Sequence, residues 1–161
     1  MNRYSSSNLT EFEFHDAWAE EVHWEGDVLT CRVKQCSLHA NALENPYSQD
    51  MELNEAVLTF SGFQIKEYCL PGWEASFPNG KAEVHPEQRF VGTEAKQRFS
   101  QAAAEGLWLK DISAGDPTKS TLEACGRTEP YFSVTFSFRQ VLVEWESFAG
   151  PAWQVNFRSG S

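Results

Sequence analysis

The chain has 161 residues, 41% of them apolar, and its 13 Lys plus Arg against 23 Asp plus Glu give a net charge of -10. A chain of this length can bury roughly 70% of its unfolded surface, so an apolar core needs no disulfide or structural metal to hold it. No apolar run exceeds three residues, residues 1–8 lack the apolar stretch of an export signal, and the negative charge opposes nucleic acid and anionic bilayers, so a cytoplasmic protein is expected.

Residues 1–10 are polar and read as a flexible tail, with a single β-rich domain over 11–161. Phe12 and Phe14 alternate with Glu11, Glu13 and His15, the period of a half-buried strand. The stretch from Ala17 to Trp24, the pair Gly26-Asp27 and the alternation of Leu29, Cys31 and Val33 spell a β-hairpin, since glycine beside aspartate supplies the positive φ of a tight turn. Residues 39–51 show no period and read as a long loop, a place where function tends to sit. Ala56, Leu58 and Phe60 alternate up to Ser61-Gly62, and Phe63 and Ile65 continue beyond, as two strands or as one strand bent at a glycine.

Residues 71–91 hold three prolines and read as turns. Thr93 then caps a helix expected over about 94–105, whose Ala95, Phe99, Ala102 and Ala103 share one face before Gly106 ends it. A short strand follows over 107–112. Phe132, Val134, Phe136 and Phe138 give the clearest period of two. Val141, Val143 and Trp145 carry the opposite parity, which favours a bulge near Arg139-Gln140, and Trp153, Val155 and Phe157 read as a last strand. The expected fold is α+β, mainly β: an antiparallel sandwich or flattened barrel of about eight strands with one short helix.

The charge is uneven. Residues 1–80 carry Arg3, Arg32, Lys34 and Lys66 against thirteen acids, whereas residues 81–161 are nearly balanced, with nine bases and ten acids. Between Tyr4 and Cys31 there are seven acids, Glu20 and Glu21 among them, and no Lys or Arg. Such a surface suits a basic protein partner or a cation. Cys31, Cys36, Cys69 and Cys125 form neither a C-x-x-C pair nor a zinc spacing, and read as reduced, mostly buried thiols.

His15, Asp16, His23, His39, Asp50 and Glu52 are the residues that could ligate a metal or exchange protons, yet no known ligand order links them, and no nucleophile elbow or phosphate loop is present. A non-enzymatic protein without metal or cofactor is the leading expectation; a small metal-dependent hydrolase using His15, Asp16 and His39 is the alternative. Of six tryptophans most read as core, while Trp73, between turn residues, reads as exposed.

Phe14-His15-Asp16-Ala17, the hairpin from Val22 to Val33, Asn45-Pro46, Asp50-Met51, and then Ala56, Leu58, Phe60, Gly62 and Phe63 resemble a set of small bacterial proteins that open with Phe-His-Asp-Ala. Some similar acidic proteins act as immunity partners of bacterial toxins. The resemblance suggests that class without naming a target. Together with the acidic first half and the 39–51 loop it gives the expectation of a binding protein whose partner is basic, such as a toxin or nuclease, with His15, Asp16, Glu20, Glu21, His39, Asn45, Asp50 and Trp73 as the candidate binding residues.

Overall fold

The computed structural model describes residues 3–153. In chain order these form β1 (Tyr4–Ser6), a 3-10 turn at Leu9–Glu11, β2 (Phe12–Glu13), β3 (Trp18–Glu25), β4 (Val28–Lys34), β5 (Ser37–Leu38), β6 (Met51–Leu53), β7 (Ala56–Ser61) and β8 (Gln64–Leu70). There follow β9 (Trp73–Ser76), β10 (Ala82–His85), β11 (Gln88–Phe90), α1 (Gly92–Ala103), β12 (Leu107–Ser113), β13 (Ser120–Gly126), β14 (Tyr131–Ser137), β15 (Gln140–Trp145) and β16 (Phe148–Pro151). The protein is mainly β, with antiparallel sheets and one helix. Ten strands form one sheet in the order β1-β15-β7-β4-β3-β12-β13-β14-β8-β11; β16-β6-β5-β2 form a second, and β9 and β10 pair alone.

Local chemistry explains how these strands bury one face. β3 and β4 close on Gly26-Asp27, with Gly26 at φ 62 and Glu25 opposite Val28. Within β3 the register slips between Glu20 and His23, and Glu21 sits at φ 51. One extra residue reverses parity, so Val22 and Trp24 join the core side already set by the buried Ala19. After β4, Gln35 at φ 65 repeats the device, and Cys36 is buried although its spacing from Cys31 would send it to the opposite face of a regular strand.

The large sheet folds back on itself at a kinked ribbon. β7 faces β15 and β8 faces β14 in one continuous register, which places residues 62–63 opposite 138–139. Gly62 is at φ 68, a conformation that favours glycine, and a Cβ there would lie 2.6 Å from Nε of the Arg139 side chain, which would have to move aside at the corner. The fold brings β7 against β14: Phe60 and Phe136 meet edge to face at 5.6 Å between ring centroids, with Phe63 packed 5.2 Å from Phe136. At the opposite corner β3 and β12 share only the pairs Trp18–Trp108 and Ala19–Leu107. There α1 fills the gap, packing Phe99 against Trp24 and Phe63. β1 and β11 remain as edges, so the sheet is sandwich-like and not a closed barrel. Between it and the four-stranded sheet lies Trp145, fully buried under Tyr4, Phe12 and Phe148.

Several expectations are revised. Among the described residues the strands number sixteen, not about eight, because eight of them are only two to four residues long, too short for a sustained period. Tyr4–Ser6, in the stretch expected as a flexible tail, pairs with β15. The turn-rich segment 71–91 contains β9, β10 and β11, and β13 occupies a stretch in which no strand was expected. The helix starts at Gly92, with Val91 in the capping position and no side-chain cap; its buried face is Ala95, Phe99, Ala102 and Ala103, as the spacing requires. The parity change after Phe138 marks the ribbon corner and not a bulge within one strand. Trp145 is fully buried and Trp24 packs against the core, but Trp73, Trp108 and Trp153 are about half exposed, so half of the six lie outside the core. Trp153 lies in no strand, and Val155 and Phe157 fall outside the described residues. All four cysteines are free, Cys31 and Cys36 buried, Cys69 and Cys125 partly so.

Candidate functional site

Residues 39–50 form the loop expected between β5 and β6, and the loop is tied down at several points. The Asn45 amide donates to the carbonyls of His39 at 3.0 Å and Gln49 at 3.1 Å, and its Oδ1 accepts from Tyr47 N at 2.9 Å. Asp50 Oδ1 accepts from Ala40 N at 2.7 Å, while its Oδ2 lies 3.5 Å from His39 Nδ1. Glu11 reaches in from the 3-10 turn: one carboxylate oxygen accepts from Ser6 Oγ and the other from Leu43 N at 3.0 Å. Ala42 is buried, so the loop also has a small apolar foot.

This bracing presents an apolar tip. Leu43 is 92% exposed and Tyr47 is 48% exposed. A leucine held in water by a fixed backbone loses no further backbone entropy when a partner covers it. Glu44, Asp50 and Glu52 lie along the same stretch of chain. Sequence pattern named Asn45, His39 and Asp50; it missed Leu43, whose only signal is an apolar side chain in a loop without a buried strand to serve.

His15 and Asp16 sit in the turn between β2 and β3, their side chains 3.6 Å apart. Asp16 adopts φ 66 and its N–H donates to Leu109 O at 2.9 Å; the acceptor in this turn is Glu13, which takes the His15 N–H at 3.0 Å. His15 and Asp16 line a depression with Gln35, Glu52 and Trp153. His39 pairs with Asp50 and does not line that depression. Among the described residues no group of three His, Cys, Asp or Glu is placed to hold a metal ion.

Glu20 and Glu21 are occupied by β4. Lys34 Nζ lies 2.8 Å from Glu20, and Arg32 Nε donates to Glu21 at 2.8 Å. The hydrogen bond from Lys34, aided by Trp18 Nε1, holds the Glu20 carboxyl below its usual range, and the bond to Glu21 raises Arg32 further. Asp27 is met by Arg139 at 3.3 Å. The acidic hairpin therefore offers less free charge than its sequence suggests.

Trp73 lies apart, at the start of β9. It is 53% exposed and stacks on His85, its partner across the β9–β10 pair, with 3.9 Å between centroids and 12° between planes. Both rings border a cavity of about 370 Å³ that reaches to Tyr131 at the start of β14. Comparison of the chain with protein-family models, with curated proteins and with solved structures finds no match.

Proposed function

We propose that the chain is a cytoplasmic, non-enzymatic binding protein that docks a basic protein through the braced 39–51 loop. The observation that carries this reading is the exposed Leu43 on a backbone fixed by Asn45 and Glu11. Burial of an exposed apolar anchor supplies affinity, and complementary charge speeds encounter. Glu44, Asp50 and Glu52 lie along the loop and the start of β6, and the net charge of -10 steers a basic partner from a distance. A basic toxin or nuclease is the partner that this charge and the resemblance to immunity proteins suggest together.

The test is co-expression with the basic product of a neighbouring gene. Co-purification that weakens with salt and is lost in Leu43→Asp supports the reading; a complex that Leu43→Asp leaves intact rejects the loop as the docking surface. No helix of the described residues is long and apolar enough to cross a membrane.

A further inference from the structure

The cavity beside Trp73 has a composition unlike the rest of the surface. It is lined by Trp73, His85 and Tyr131 and by three prolines, with Glu129 and Gln88 beside them. Among the described residues no Lys or Arg lines it. His85 Nε2 lies 2.6 Å from the Glu83 carboxylate, and Glu129 has no ion-pair partner among the described residues. Gly72 makes the cavity possible: a Cβ there would lie 2.8 Å from both the Glu87 nitrogen and the His85 carbonyl, so only glycine lets the strand entry pass this close to residues 85–87.

Aromatic faces carry negative quadrupole density, and a carboxylate beside them adds a full charge; together they attract organic cations and repel anions. Rings in this chain already accept cations where the chain supplies one: Lys96 lies 4.6 Å from Trp24 and the Arg98 guanidinium 3.8 Å from Phe90. Tyr131, which lines the cavity, itself has Lys110 Nζ 5.0 Å from its centroid. Lys110 lines a different depression, with Glu13 and Asp111, so it does not fill the Trp73 cavity. The volume is at the lower end of that of small-molecule sites.

We propose that this cavity binds a small free quaternary ammonium cation of the choline type. Methylated nitrogen needs no hydrogen-bond acceptor for each substituent, which suits walls made of rings and prolines; the one carboxylate balances the charge. A phosphate attached to the same cation would be repelled by Glu129 and by the net negative charge of the chain. The site is separate from the 39–51 loop, and the proposal does not depend on the docking reading.

The experiment is a titration of the full chain with choline chloride at constant ionic strength, read by calorimetry and by the indole N–H resonance of Trp73. Saturation with a dissociation constant in the millimolar range or tighter is expected. Glu129→Gln should weaken binding about tenfold with unchanged circular dichroism, and 3,3-dimethylbutan-1-ol, the uncharged carbon analogue, should bind at least about tenfold more weakly. Phosphocholine should bind more weakly than choline. Absence of saturation, equal binding of the uncharged analogue, tighter binding of phosphocholine, or indifference to Glu129→Gln would each overturn the proposal. The wild-type resonance of Trp73 keeps the test decisive even if a Trp73→Ala variant unfolds the hairpin.

Discussion

The Arg32 guanidinium meets the Glu21 carboxylate at 2.8 Å at the one residue of β3 whose backbone is left-handed. The sequence offers Glu21 as a binding residue, but its place in the structure is the bulge that turns Val22 and Trp24 inward. A non-glycine residue in this region carries about 1–2 kcal/mol of strain, more than the roughly 0.2–1 kcal/mol of an exposed ion pair. Glu21→Gly should therefore leave stability unchanged or raise it slightly, whereas Glu21→Val, β-branched in a left-handed position, should cost about 1–2 kcal/mol or more. Urea midpoints of the two variants check the sign of each.

Phe60 is the ring that binds the two halves of the folded sheet, in contact with Phe63, Phe136 and Phe138. Phe60→Ala should cost about 3–5 kcal/mol, and Trp108→Ala, at a half-exposed position, far less. Thermal unfolding of both variants under one condition decides it; equal losses would mean that the halves do not depend on this contact.

Asn45→Ala removes the donor shared by the His39 and Gln49 carbonyls. A loss of about 1–3 kcal/mol is expected to fall on the loop and not on the sheet. Amide exchange should accelerate over residues 40–50 while Val33, Leu58 and Val143 stay protected, and partner binding should weaken although Leu43 is intact.

Burial pushes the thiols of Cys31 and Cys36 up to about 12. The unfolded chain ionises them near about 8.5, so the stability they contribute is complete below that pH and declines as pH rises toward 12. At pH 10 the loss should reach about 1–2 kcal/mol for each thiol. Denaturation midpoints at pH 8 and pH 10 should converge in a Cys31→Ala, Cys36→Ala double variant, even though its packing is poorer at both. Under native conditions at pH 8, iodoacetamide should leave these two thiols unmodified.

Much of the frame is legible in the sequence where a strand has one wet and one dry face. The β3–β4 hairpin follows from Gly26-Asp27 with flanking alternation, and the helical face from the spacing of Ala95, Phe99, Ala102 and Ala103. β13 escapes notice because only Ser120 and Ala124 along it are buried, and β10 because all four of its residues are exposed; a strand without a dry side has no period to read. Left-handed Glu21 and Gln35 are equally silent, as neither residue type announces positive φ. Of the candidate sites, the exposure of Trp73 is legible from its neighbouring Pro71 and Gly72, whereas its proximity to Glu129 and Tyr131 is created by the pairing of β14 with β8, across more than fifty residues of chain.

Along residues 20–25, among the described residues, no strand pairs with β3 on the side where β12 pairs with Trp18 and Ala19, and α1 stands in the opening with Phe99 on Trp24. That stretch is sealed by side chains alone. The helix is thus a stopper: its withdrawal would rupture no interstrand bond, but it would lift Phe99 from Trp24 and Phe63, Lys96 from Trp24 and Arg98 from Phe90, and so open a doorway into the core of the folded sheet while the strands stood.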